Sequence, residues 1–145
     1  MIYTVETKKA LKLCFEAHKE QTDKTGMPYV FHPFHLAEQM TTEQTTVCAL
    51  LHDVVEDSPY TLDDLRKMGF SEEVLTALAL LTHDPAVSYE DYVKELAKNP
   101  IAKAVKLADL AHNSDPTRLA GEEISEKMRS RWEKYAKARE YLETH

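Results

Sequence analysis

Glycine is scarce in this chain, with three among 145 residues. Nor does any stretch sustain the apolar and polar alternation of a half-buried strand, so the helical period governs the expected structure. Cysteine is rarer still. Cys14 and Cys48 lie in the apolar segments Leu13-Cys14-Phe15 and Val47-Cys48-Ala49. Small buried hydrophobes in a reducing compartment are expected there, not a disulfide or thiolate ligands. No apolar run approaches the ~20 residues of a membrane span. Met1 to Glu6 lacks the apolar centre of a signal peptide. The expectation is a cytoplasmic protein without membrane contact. Positive charge is short as well. Lys and Arg number 18 against 25 Asp and Glu, a net charge of −7. That argues against a general nucleic-acid binder, which needs a basic face. A small phosphorylated partner remains open, because a metal and a few lysines reverse the sign locally. Internal repeats, linkers and low-complexity tails are also missing, and 145 residues suit one domain around one core.

What the chain does contain is apolar residues at helical spacing. A first helix is expected over residues 5–19, with Ala10, Leu11, Cys14, Phe15 and His18 inward. A polar loop over 20–33 carries Lys24-Thr25-Gly26-Met27-Pro28, and a short helix over 34–40 starts after Pro33. Thr42 caps a central helix over 42–56. Thr61, Ser71 and Ser88 mark further helix starts, with acids in each first turn. Gly69 is a stop signal between the first two. Asn99-Pro100 opens a helix over 101–112. A charged helix over 125–142 has Trp132, Tyr135, Ala136, Arg139 and Leu142 as its inward face. The expected fold is an all-α helical bundle, one compact domain spanning 1–145.

Within the central helix stands Ala49-Leu50-Leu51-His52-Asp53-Val54-Val55-Glu56-Asp57. Spacings of three and four put His52, Asp53, Glu56 and Asp57 on neighbouring parts of one helix surface. Carboxylates packed beside Leu50, Leu51, Val54 and Val55 repel one another unless a cation neutralises them. Two other polar clusters interrupt ordinary helices: Tyr29-Val30-Phe31-His32-Pro33, and Lys106-Leu107-Ala108-Asp109-Leu110-Ala111-His112-Asn113. The imidazoles of His32 and His52 with the carboxylates of Asp53 and Asp109 neutralise one divalent ion and leave positions for water. Such a mixed set suits octahedral Mn²⁺ or Fe²⁺ better than a closed thiolate zinc site. Other residues have plainer expectations. His18 is a core histidine, His83-Asp84 lies in a loop, and His35 is a surface residue or a partner of His32. His112 packs or orients a ligand. Trp132, Tyr135 and Tyr141 on the last helix leave a homodimer contact open beside a solvated face.

The order His32, His52-Asp53, Asp109 resembles the HD-domain metal-dependent phosphohydrolases. Ala17-His18-Lys19-Glu20-Gln21, Gly26-Met27-Pro28-Tyr29, His32-Pro33, Ala49 to Asp57 and Lys106-Leu107-Ala108-Asp109 resemble the hydrolase domain of the RelA/SpoT-homologue family. The resemblance spans about residues 10–113. It implies an HD-type bundle and a free-standing small alarmone hydrolase, which removes the 3′-pyrophosphate of guanosine tetra- and pentaphosphate with Mn²⁺. It implies His32, His52, Asp53 and Asp109 as metal ligands and Glu56 and Asp57 as the catalytic acidic pair; Glu56 is expected to act as general base, and Asp57 to orient the water or the base. Lys24 and Thr25 fall near substrate phosphates, and Asn113 helps hold the nucleotide. The chain departs from the family pattern in two places. Asp23 stands where the family has Arg, and Leu110-Ala111-His112-Asn113-Ser114-Asp115 replaces Arg-Leu-His-Asn-Met-Arg. Two alternatives therefore stay open: a phosphohydrolase of another nucleotide or phosphorylated metabolite, such as a nucleoside monophosphate or NADPH, and a non-catalytic nucleotide sensor.

Overall fold

Side-chain caps open six of the nine α-helices, so local sequence decides where most of them begin. The structure is a computed structural model describing residues 1–145. Its helices are α1 Val5–His18, α2 Phe31–Glu38, α3 Glu43–Leu51, α4 Val54–Asp57 and α5 Leu62–Lys67, followed by α6 Glu72–Leu81, α7 Tyr89–Leu96, α8 Pro100–Asn113 and α9 Glu126–Thr144. A short 3₁₀ turn, Pro116–Leu119, joins α8 towards α9. The fold is all-helical, and the sole extended pairing is an isolated bridge between Thr22 and Pro28. No helix is long and apolar enough to cross a membrane.

The centre of the bundle is α3, which packs against α1, α2, α6 and α8. Its residues Thr46 to Leu51 are wholly buried. Helix α8 crosses it with Ala102, Val105, Ala108 and Leu110 turned inward, and α9 lies over α7 and α8. Cys14 and Cys48 are free thiols inside this core, and burial raises the Cys14 thiol to about 12.

The structure corrects four expectations. The central helix is not continuous: α3 ends at Leu51, and α4 restarts at Val54 after Asp53 with φ −107° and ψ 0°. The His52 ring Nδ1–H donates to the Ala49 carbonyl at 2.6 Å. That carbonyl is the acceptor the Asp53 N–H would use in an unbroken helix. Helix α2 begins at Phe31, three residues earlier than expected, because Pro33 falls within the first turn, where its missing N–H has no helical acceptor to lose. Phe15 is 54% exposed; the inward stripe of α1 is Thr7, Ala10, Leu13, Cys14 and His18. On α9 the buried residues are Ala138 and Leu142, one turn apart, while Ala136 is exposed.

Candidate metal centre and active site

Three stretches deliver the polar groups. His32 sits in the first turn of α2, His52 and Asp53 at the break between α3 and α4, and Asp109 in the last turns of α8. One ligand atom each from His32, His52 and Asp109 lies within 4.8 Å of the others, and all three residues are buried. Asp53 joins them, its Oδ2 2.9 Å from His52 Nε2. His52 Nε2 also lies 3.6 Å from Asp109 Oδ1. The helix break makes this proximity possible, since consecutive side chains of a regular helix diverge by about 100°.

The donor set suits a divalent cation. With its Nδ1–H held by Ala49, neutral His52 presents Nε2 as a lone pair, and that buried atom has no hydrogen-bond partner. A lone pair facing two carboxylate oxygens is unfavourable unless a proton or a metal ion lies among them. Burial opposes charge on His52, but Asp53 and Asp109 outweigh it and hold its pKa well above the ordinary value. Burial likewise opposes charge on Asp53, yet His52 and the Tyr29 hydroxyl, which donates to Asp53 Oδ2, bring it down to about 2.

Each group is steadied from outside. Asp109 Oδ2 accepts from Lys106 Nζ at 3.1 Å, and Oδ1 accepts from Asn113 Nδ2 at 3.0 Å. His32 Nε2 is 2.9 Å from Asp109 Oδ1 and its Nδ1 is 2.7 Å from His112 Nδ1. Burial, then the Arg118 charge, lowers His112 to about 4, so it is neutral near pH 7. A neutral His112 accepts from His32 Nδ1–H in the tautomer that frees His32 Nε2 for a metal. His35 packs beyond it, its ring centroid 4.2 Å from that of His112.

Two cavities flank this centre. Lys24, Thr25 and Asn113 share the larger, of about 410 Å³, with His32, Arg118, Arg131 and Trp132. Glu56 lines the smaller, of about 240 Å³, with His52, Asp53 and Asp109. Asp57 lines neither; its backbone carbonyl accepts from Gln21 Nε2 at 2.7 Å. Glu56 Oε1 accepts from the His83 backbone N–H at 3.0 Å. Partial burial, then the Asp53 and Asp57 charges, hold Glu56 above the usual carboxylate range against that N–H. Burial and Asp53 also raise Asp57, against His18 and His52.

Several contributors carry no signal at sequence level. The N–H of His83 is backbone and has no side-chain signature. Asp23 pairs with Arg118 at 3.2 Å across 95 residues. Trp132 Nε1 donates to the Asn113 carbonyl at 3.0 Å, which brings the charged last helix to the site. His18 is fully buried and bonded through Nδ1 to Gln21, and His83-Asp84 is in the α6–α7 loop.

The fold is an all-helical bundle of HD type. In sequence the chain is RelA/SpoT-like. No family model matches the chain. It is 34% identical to a GTP pyrophosphokinase of Streptomyces antibioticus over 150 residues, which cover 95% of this chain and 17% of that protein. A guanosine-3′,5′-bis(diphosphate) 3′-pyrophosphohydrolase of Aquifex aeolicus is 31% identical over 120 residues, 74% of this chain and 17% of that one. The bifunctional (p)ppGpp synthase/hydrolase SpoT of Escherichia coli K12 is 32% identical over 113 residues, 68% and 16% respectively. The chain thus spans about a sixth of the length of these relatives. A solved structure of a metazoan SpoT orthologue, described as hydrolysing ppGpp, shares the fold with a TM-score of 0.77 at 24% identity, over 98% of this chain and 87% of that one.

Proposed function

We propose that residues 1–145 act as one HD-type domain, a metal-dependent phosphohydrolase that removes the 3′-pyrophosphate of guanosine tetra- or pentaphosphate. One observation supports this reading: ligand atoms of the buried His32, His52 and Asp109, from stretches far apart in sequence, lie within 4.8 Å of one another, with Asp53 Oδ2 2.9 Å from His52 Nε2, in a RelA/SpoT-like chain. These four residues would hold the ion, with Mn²⁺ or Fe²⁺ favoured by the mixed imidazole and carboxylate donors. When bound, a divalent ion supplies Lewis acidity at the phosphoryl oxygen and eases deprotonation of an attacking water. Glu56 accepts that proton. Its Oε1 is fixed by the His83 N–H, and its raised pKa makes it the stronger base. Asp57, adjacent in α4, orients the water or the base, and its negative charge helps to raise the Glu56 pKa. Lys106 stays cationic and fixes Asp109, so that Oδ1 faces His32 and His52. Lys24, Thr25 and Asn113 contact the nucleotide from the larger cavity.

One observation favours a different phosphorylated substrate. Asp23 stands where an arginine is expected, and its carboxylate is filled by Thr25, Met27 and Arg118. Arg118 is thereby held by an acid, so fewer free cations face the nucleotide. A phosphate-release screen with Mn²⁺ over guanosine tetraphosphate, nucleoside monophosphates and NADPH separates the two. Pyrophosphate release from guanosine tetraphosphate is expected. Inertness there with turnover of another compound establishes the second substrate class, and inertness throughout leaves a nucleotide sensor.

A further inference from the structure

The smaller cavity has two unlike walls. One is the metal side, with His52, Asp53, Glu56 and Asp109. The other is built by α7 and α9 and presents Tyr89, Tyr92 and Lys134. The Tyr92 hydroxyl is satisfied, donating to the Leu81 carbonyl at 2.6 Å. The Tyr89 hydroxyl is buried and has no partner. Lys134 Nζ stands 4.3 Å above the Tyr89 ring. Lys19, Lys94, Lys98 and Lys106 each hold a carboxylate, whereas Lys134 holds none. Lys134 is exposed, yet its ammonium stands over the ring of a tyrosine whose buried O–H makes no hydrogen bond, in a cavity whose facing wall is acidic. Both groups are donors, and nothing on that wall accepts from them.

We propose that Tyr89 and Lys134 form an anion subsite that takes the phosphoryl group being released, with the nucleotide lying in the larger cavity on the other side of Asn113. The proposal rests on the phosphohydrolase reading and adds to it the place of the leaving group. Burial raises the Tyr89 pKa against the neighbouring Lys106 ammonium, which lines the same cavity, so its hydroxyl remains protonated and able to donate. A divalent ion among Asp53 and Asp109 offsets their repulsion of an anion. Glu56, tied to the His83 N–H, is then the remaining carboxylate that faces the donor wall. Asn113 and Tyr135 line both cavities, so one substrate reaches both.

The test is a calorimetric titration of inorganic phosphate into the Mn²⁺-loaded full chain, for wild type, Lys134→Met and Tyr89→Phe. Metal affinity is measured alongside. Lys134→Met is expected to weaken phosphate binding about tenfold, the loss of one charge-assisted bond. Tyr89→Phe is expected to weaken it about threefold. Neither is expected to change Mn²⁺ affinity. Equal phosphate affinity in all three proteins overturns the proposal. So does a Lys134→Met effect that disappears once metal loading is matched, or a wild type that holds Mn²⁺ but not phosphate. These readouts need no turnover. Failure of the phosphohydrolase reading shows separately, as absence of hydrolysis by a protein that still binds phosphate.

Discussion

The metal-facing cluster and the larger cavity beside it are built from different material. Around the cluster His32, His52 and Asp109 are buried, Asp53 is half-buried, and each is gripped by a second partner: His52 by the Ala49 carbonyl, Asp53 by Tyr29, Asp109 by Lys106 and Asn113, and His32 by His112. These residues ride on α2, α3, α4 and α8, which share the core. The larger cavity is walled by the 21–30 loop, the 3₁₀ turn and α9, whose side chains are more exposed. Its strongest internal tie, Asp23 with Arg118, joins that loop to that turn. Packed helices therefore hold the proposed metal site, while loops and a peripheral helix wall the cavity proposed for the nucleotide. A substitution on the first side is expected to cost metal and stability, and one on the second to change substrate preference.

Asp109→Ala should show the largest effect. It removes a proposed ligand and leaves the half-buried Lys106 without its carboxylate partner, so a loss of about 3 kcal/mol is expected in denaturant unfolding of the metal-free protein. Mn²⁺ binding should disappear with it. Glu56→Gln should separate chemistry from assembly. Mn²⁺ affinity and melting temperature stay as in wild type, while kcat falls about 10² to 10⁴-fold. A wild-type rate in that variant removes Glu56 as general base. His112→Ala should weaken Mn²⁺ about tenfold or more, by releasing His32 from its ring orientation. His112→Asn, which keeps an acceptor near the same place, should restore part of that loss; no change in either variant assigns His112 to packing alone. Asp23→Asn should have the smallest effect, confined to the cavity. Freeing Arg118 is expected to lower KM for an anionic nucleotide about threefold, with metal affinity and kcat unchanged. A change in metal affinity there would dissolve the distinction between the two regions.

Much of the fold is legible in local sequence. Thr42, Ser88, Asn99-Pro100 and Ser125 mark helix starts that the structure uses, because a cap is a contact within three residues. The polar residues that converge are legible too, since a carboxylate in an apolar helix needs a partner wherever the chain places it. The break at His52-Asp53 is not. A continuous helix and a broken one both bring Glu56 and Asp57 close to His52, and the deciding bond, His52 Nδ1 to the Ala49 carbonyl, follows from a rotamer. The tie between Asp23 and Arg118, the stacking of Lys134 on Tyr89, and the His83 N–H on Glu56 join segments brought together by packing alone. For the same reason the last helix reads as a solvated charged face, although Trp132 and Lys134 stand at the site.

The central claim is that His32, His52, Asp53 and Asp109 share one divalent ion. Titration of metal-free wild type with Mn²⁺, followed by the electron paramagnetic resonance of the free ion, tests it most directly. The expected result is one tightly bound ion per chain, lost in both Asp53→Ala and His52→Ala. A wild type that binds no ion, or binding that survives both substitutions, would contradict it.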